Sequence, residues 1–325
     1  VQTCALPIFG FDTTSRDSNL HLVDWVRAYL DGHGIRSELV HDETGRKANL
    51  FATIGPEDRP GLVLSGHTDV VPIDGQEWST DAFSVVEKDG HLYGRGTCDM
   101  KSFVAVVLAK VPEIKAKVRA TPVHLAFSYD EEVGCIGAHS LAEKLMGDVP
   151  RPRAVIVGEP TMMGVVNAQN WGGGLVATFT GFEAHSSMTH LGVSAIHFAG
   201  EFVHWLNTVQ DELDAAAPKN SEFMPAAATF NVGTIVGGTA GNIIPNHCEF
   251  LLELRVLPGQ TTDPIIDRIK AFAANKLVPE MKKVFAGADI HIHKNGEIPP
   301  LNVGLKEATQ AFVEQATTIK IEVFD

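Results

Sequence analysis

Apolar residues in the first half of the chain fall into short blocks separated by polar loops. Leu22, Val23, Val26 and Leu30 recur at helical spacing and predict an amphipathic helix over about residues 20–30. From about residue 48 the pattern changes to short apolar runs, each followed by a loop. Leu62-Val63-Leu64 reads as a buried strand, Val123 to Phe127 as a second and Ala154 to Val157 as a third, with a helix over Phe103 to Val111 behind the Gly94-Arg95-Gly96 turn. Strands alternating with helices predict an α/β unit whose mostly parallel sheet is flanked by helices on both faces.

A different pattern starts near Gly173. Leu175 to Thr180 is strand-like, and Val193 to Val209 is helical with Ile196, Ala199, Val203 and Leu206 on one face. Ala227 to Val236 is strand-like again. Cys248, Phe250, Leu252, Leu254 and Val256 alternate along a further strand. Thr262 to Leu277 is helical, with Pro264 in the first turn where proline is tolerated. Ile290 to His293 closes the series, giving a β-α-β-β-α-β order, which is the ferredoxin-like pattern. The predicted organisation is therefore one domain over 1–172 and 296–325, interrupted by a second over 173–295. The length of 325 residues is in keeping with two domains.

Composition narrows the functional classes. The chain carries 26 Lys and Arg against 40 Asp and Glu, a formal net charge of −14, so attraction to a nucleic-acid backbone is not expected. The apolar run from Phe103 stops at Lys110, and no run approaches the ~18–20 residues of a membrane span. Cys4, Cys98, Cys135 and Cys248 form no CxxC pair, which argues against a thiolate zinc site and for a reducing, cytoplasmic setting. The chain starts at Val1 without a basic leader and stops at Asp325 without a turn signal, so it is expected to be part of a longer protein.

The chemistry lies in four loops: Gly66-His67-Thr68-Asp69, Gly94 to Lys101 with Asp99, Asp130-Glu131-Glu132, and Gly158-Glu159-Pro160. In open α/β sheets ligands bind at the carboxyl ends of strands, where three of these loops start. One imidazole among several carboxylates suits Zn²⁺, Co²⁺ or Mn²⁺, and carboxylates brought together repel unless cations lie between them. Taken singly each residue has a plainer role. His67 could be a hydrogen-bonded loop residue, Asp69 a turn cap, Asp99 the cap of the following helix, and Glu131 with Glu132 a solvated acidic pair.

The strings SGHTDVVP, LYGRGTCDMK, SYDEEVGCIGA, VGEPT, EAHSS, GGTAGNIIPN and LELRVLPGQ together resemble the co-catalytic zinc amidohydrolase family of acetylornithine deacetylase and succinyl-diaminopimelate desuccinylase. The resemblance runs from about Phe11 to about residue 300 and is nearest to the acetylornithine deacetylase members. It implies a catalytic domain over 1–172 and 296–325 and an inserted dimerisation domain over 173–295. His67 and Glu159 would bind one zinc, Glu132 the other, and Asp99 would bridge both. Asp69 would orient His67. Glu131 would be the general base, moving a proton from the attacking water to the leaving amine. His185 would stabilise the oxyanion, often across a dimer interface, and Asn242 and Arg255 would hold the substrate carboxylate. Alone, His185 reads as a strand-end hydrogen-bond donor and Arg255 as a surface charge. The implied protein is a cytoplasmic homodimer with two Zn²⁺ per chain, Co²⁺ being an alternative. It would hydrolyse a small N-acyl amino acid, N2-acetyl-L-ornithine first, in arginine biosynthesis. Desuccinylation or broader N-acyl amino acid hydrolysis is the alternative within the family.

Some features depart from the family pattern. No motif before Asp325 matches the family's last His ligand, Ser102 follows Asp-Met-Lys where Gly is usual, and Asn170-Trp171-Gly172 replaces a common His-Lys-Gly. The missing ligand leaves open an inactive fragment or non-catalytic homologue, and the change at Asn170-Trp171-Gly172 bears on which substrate is taken. His291 and His293 share a strand face but match no family ligand, and Gly237, Gly238 and Gly241 read as a turn rather than a phosphate loop.

Overall fold

The computed structural model describes residues 3–298 apart from 119, 165, 167, 168 and 222. Its contacts divide the chain into two compact units, with the boundary between residues 165 and 166.

The first unit opens with a 3-10 turn over Thr3–Gly10 and then α1 (Leu20–Gly32), β1 (Ser37–His41), β2 (Ala48–Ile54) and β3 (Leu62–His67). A small hairpin of β4 (Val86–Lys88) and β5 (His91–Tyr93) precedes α2 (Lys101–Lys117), β6 (Val123–Ser128), α3 (Ile136–Asp148) and β7 (Ala154–Val157). The main sheet has the order β1-β2-β6-β3-β7. β3 runs parallel to both β6 and β7, whereas β2 pairs antiparallel with β6 and with β1.

Alternation along the strands separates the two faces. Leu50, Ala52, Ile54, Leu125 and Phe127 join α1 and α2 residues in one core, while Phe51, Val63 and Ala126 pack with Leu141 and Val149 in another. The apolar run that predicts a helix over 103–111 extends in the structure to Lys117, through Pro112. A proline inside a helix costs about 3 kcal/mol. Val104, Val107, Leu108 and Val111 are all buried in α2, and burying such side chains contributes roughly 1.5–3 kcal/mol each, which outweighs that penalty.

The second unit contains β8 (Trp171–Thr180), α4 (Ala195–Ala215), β9 (Thr229–Gly237), β10 (His247–Val256), α5 (Asp263–Phe272), α6 (Val278–Lys282) and β11 (Asp289–Ile298). Its sheet is antiparallel in the order β11-β8-β10-β9, the βαββαβ arrangement that the pattern predicts. Cys248, Phe250, Leu252, Leu254 and Val256 are all buried on one face of β10. The buried face of α4 is Ala195, Ala199, Phe202, Leu206 and Val209, so Phe202 occupies the centre and Ile196 stays 37% exposed. Phe202 takes that place because it packs edge-on against Phe179 and near Phe250, where the larger ring buries more surface. The predicted helix over 262–277 divides, because a π-helical turn over Ala273–Leu277 follows α5 and leads into α6. Among the described residues no helix is long and apolar enough to cross a membrane.

One buried group in the first core makes stability depend on pH. His124 on β6 is fully buried, its Nδ1 lies 2.9 Å from Thr53 Oγ1, and its Nε2 has no partner among the described residues. Burial holds its pKa below the ordinary value, so the folded chain keeps it neutral while the unfolded chain takes up a proton near pH 6.5. Stability is therefore expected to fall as pH drops below about 6.5, with the loss complete below the folded pKa. Denaturant titrations of wild type and His124→Gln across that range should show a smaller acid-side loss in the variant; equal slopes would exclude His124 as the cause.

Candidate metal centre

β3 lies between β6 and β7, and its parallel register sets His67 beside Ser128 and Ser65 beside Val157. The loops leaving the three carboxyl ends therefore emerge side by side. They carry His67 and Asp69 from β3, Glu131 and Glu132 from β6, and Glu159 from β7. Asp99 comes from the segment ahead of α2. It does not cap that helix: the N-cap position is Met100, with no side-chain cap, and Met100 is buried with its sulfur 3.3 Å from the His67 amide.

His67 is the centre of this arrangement. Its Nδ1 donates to the backbone carbonyl of Asp69 at 2.9 Å and lies 3.4 Å from Asp69 Oδ1. A carbonyl can only accept, so Nδ1 carries a proton, and Nε2 is the ring nitrogen that faces the carboxylates. Nε2 lies 3.0 Å from Asp99 Oδ1 and 3.8 Å from both Glu131 Oε2 and Glu159 Oε1. Two overlapping donor groups result, His67-Glu131-Glu159 and His67-Asp99-Glu132, each with ligand atoms within 4.8 Å of one another.

Asp69 anchors the cluster from behind. It is buried, accepts from Ser15 Oγ at 2.7 Å, and receives the backbone amides of Glu131 at 3.0 Å and Glu132 at 3.3 Å. Burial alone would raise its pKa, but these hydrogen bonds and His67 hold it below the ordinary carboxylate value.

The electrostatics ask for positive charge. Burial works against charging His67, yet the hydrogen bond and charge of Asp69, with Glu131 and Glu159, push its pKa up to about 10. Burial, joined by the charges of Asp99 and Glu131, outweighs the opposing pull of His67 and raises Glu159 to about 7. Glu132 is likewise raised, by burial and then by Asp99. An imidazole nitrogen that would give up its proton to a cation, set among carboxylate oxygens in mutual repulsion, is a donor set that fits divalent cations, and the residues present fit a bound metal.

The structure also gives places to residues that carry no role in the reading of the sequence. Cys135 directs its thiol at Glu131 Oε1, 3.4 Å away, and burial followed by that carboxylate pushes its pKa up to about 12, so it is a neutral donor rather than a thiolate. Lys101 is fully buried and donates to the Phe11 carbonyl at 2.6 Å. Ser102, at the position where glycine is usual, donates to the Thr97 carbonyl. Spacing gives no signal for Ser15, whose partner Asp69 is distant in sequence, and Cys135, which flanks the acidic loop and reads from sequence as a small packing residue, is instead a donor to Glu131.

Within the second unit, His185 and Asn242 lie on adjoining segments. His185 forms an isolated bridge with Ile243, and the Ser186 amide donates to the Asn242 carbonyl at 2.9 Å. His185 is exposed, with Nδ1 2.9 Å from Ser187 Oγ. A cavity of about 770 Å³ is lined by Ser186, Gly241 and Ile243 among others, so it adjoins both residues. Gly238 takes a left-handed φ of 73° in the turn that follows β9. Arg255 is exposed on β10, and its guanidinium is held by Glu253 at 2.6 Å. His291 and His293 are exposed on β11 with ring centres 5.4 Å apart, and among the described residues they belong to no metal-binding group of three.

Fold and site together define a metal-dependent hydrolase. The profile of Peptidase family M20/M25/M40 matches residues 63–324, and the chain belongs to that family. It is 37% identical over 268 residues to an acetylornithine deacetylase of Myxococcus xanthus, covering 79% of this chain and 67% of the relative. An acetylornithine deacetylase of Proteus mirabilis is 35% identical, covering 82% of this chain and 68% of the relative. Among solved structures, a di-peptidase from Saccharomyces cerevisiae superposes with a TM-score of 0.72 at 16% identity, covering 97% of this chain and 81% of that one.

Asp69 offers a direct test of how the centre is held. Changing it to Asn keeps the shape but removes the charge behind His67. Affinity for Zn²⁺, measured by titration calorimetry, should fall about 10–100-fold. Unchanged affinity would show that Asp69 does not support the ligand.

Proposed function

We propose that the chain hydrolyses the amide bond of an N-acyl amino acid, with N2-acetyl-L-ornithine as substrate and L-ornithine and acetate as products. The observation that carries this reading is the pair of donor groups sharing His67, with Glu131 reaching the same nitrogen without being the only carboxylate there. The kinship with acetylornithine deacetylases supports the choice of substrate and a place in arginine biosynthesis.

In this reading His67 and Glu159 would hold one divalent cation and Glu132 a second, with Asp99 shared between the two. Zn²⁺ is the expected metal and Co²⁺ an effective substitute. Two cations held there supply Lewis-acid polarisation of an amide carbonyl and bring the pKa of water toward neutrality. Glu131 acts as the general base: it takes a proton from the attacking water and returns it to the nitrogen as the C–N bond breaks, leaving a carboxylate and a free amine. Asp69 fixes the imidazole tautomer and the direction of both glutamate backbones. His185 donates to the developing oxyanion, and Asn242 and Arg255 bind the substrate carboxylate. Arg255 must release Glu253 or share it to do so, which its exposed position permits. The domain over 173–295 serves as the dimerisation and lid domain of a cytoplasmic homodimer, and 1–172 with 296–325 forms the catalytic domain.

The test is hydrolysis of N2-acetyl-L-ornithine, with N-succinyl-diaminopimelate alongside, by the chain loaded with Zn²⁺ or Co²⁺. Acetylornithine should be the better substrate, and chelation should abolish turnover. Glu131→Gln should keep the bound metal, as read by metal analysis, while turnover falls by about 10²–10⁴-fold. Full activity in that variant would remove Glu131 as the base, and a chain that binds no more than one metal and turns over neither substrate would overturn the proposal.

A further inference from the structure

The glutamates of the candidate centre stand on a loop whose backbone is tied down by residues with no role in the scheme above. Asp130, immediately before Glu131, has a left-handed φ of 52° and is 7% exposed. Such a backbone is strained for a residue other than glycine and persists only where its surroundings hold it. Both Asp130 carboxylate oxygens receive Lys47 Nζ, at 2.6 and 2.5 Å, and neither side chain of the pair is more than 15% exposed. The same Nζ donates to the Ser15 carbonyl at 2.5 Å. Lys47 is itself fixed ahead of β2, where its amide donates to Asp42 Oδ1 at 2.9 Å.

These contacts close a ring. From Lys47 it passes to the Ser15 carbonyl, then from the Ser15 hydroxyl to Asp69 at 2.7 Å, and from Asp69 to the Glu131 amide at 3.0 Å. The peptide bond from Glu131 back to Asp130, and the ion pair with Lys47, complete it. Four segments far apart in sequence thus meet around the base of one loop. The ring acts on the backbone of Glu131 and Glu132, not on the reacting atoms. A buried ion pair adds little to net stability compared with an apolar pair of the same shape, so its placement here calls for another reason.

We propose that Lys47 and Asp130 are positioning residues, whose ion pair closes this ring and holds Glu131 and Glu132 at the angle the metal centre needs. The inference rests on the function proposed above for Glu131 and Glu132. Lys47 donates to both a carboxylate and a carbonyl, which a residue with a single donor direction cannot do. Arginine can approximate this, while methionine keeps the length and loses every donor.

The experiment compares wild type, Lys47→Arg, Lys47→Met and the double variant Lys47→Met/Asp130→Asn in the full chain. The double variant leaves no unpaired buried charge and so guards against simple failure to fold. Two quantities are measured: kcat and KM for acetylornithine with Zn²⁺ bound, and amide hydrogen exchange of residues 128–135 in metal-free protein. In both Met-containing variants kcat should fall about 10–100-fold while KM stays within about twofold. Protection of the Glu131 and Glu132 amides should fall by at least about tenfold, with β3 and β6 unchanged. Lys47→Arg should restore most of both. Wild-type exchange at Glu131 and Glu132 in the double variant would overturn the proposal and leave the pair a packing feature. If wild type does not turn over acetylornithine, the substrate reading fails, and the exchange measurement still decides the role of the ring.

Discussion

β3 runs parallel to both of its neighbours, and the candidate centre depends on that arrangement. In parallel pairing the carboxyl ends of adjacent strands lie on one side of the sheet, so the loops leaving β6, β3 and β7 emerge together. Had β6 been antiparallel to β3, Glu131 and Glu132 would stand at the opposite edge from His67. The outer strands β1 and β2 join antiparallel without disturbing this, because they carry none of the clustered acids. Gathering carboxylates at one edge is unfavourable in itself, and the raised pKa values of Glu132 and Glu159 record that repulsion. The sheet forces the acids together, and a bound cation would make their proximity favourable.

Asp69 converts this arrangement into a defined geometry. One buried carboxylate serves the imidazole on one side and two backbone amides on the other. It couples the orientation of His67 to the path of the loop that bears Glu131 and Glu132. Ser15 and Lys47 extend the same network to the start of the chain and to the turn before β2. The polar interior behind the centre is thus continuous, and nearly every member is satisfied, as buried polar networks must be.

The second unit obeys a simpler rule. Its sheet buries one face only, so β10 alternates cleanly and its period could be read directly. Periodicity places the α4 face one position off because Ile196 and Phe202 are both apolar and spacing cannot rank them; ring packing against Phe179 and Phe250 does. The ends of α2 and of the helix over 262–277 were displaced for related reasons. Proline and local hydrogen-bond slips act within a turn, whereas burial is decided by distant neighbours.

The alternation of elements, the βαββαβ order of the second unit and the candidate ligands are legible in the linear chain, because each is carried by local period or by a short string such as GHTD, DEE or GEP. The four-residue spacing of Cys135 from Glu131 and the long separations of Ser15 from Asp69 and Lys47 from Asp130 carried no such mark. Contacts formed on folding place the Asp69 carbonyl against His67 Nδ1, turn Asp99 toward Nε2 instead of onto the end of α2, and bring Lys47 to the loop before Glu131. The physical reason is that hydrogen bonds and charges act over a few ångströms in space, and a chain folded into a sheet brings together residues that its linear order keeps far apart.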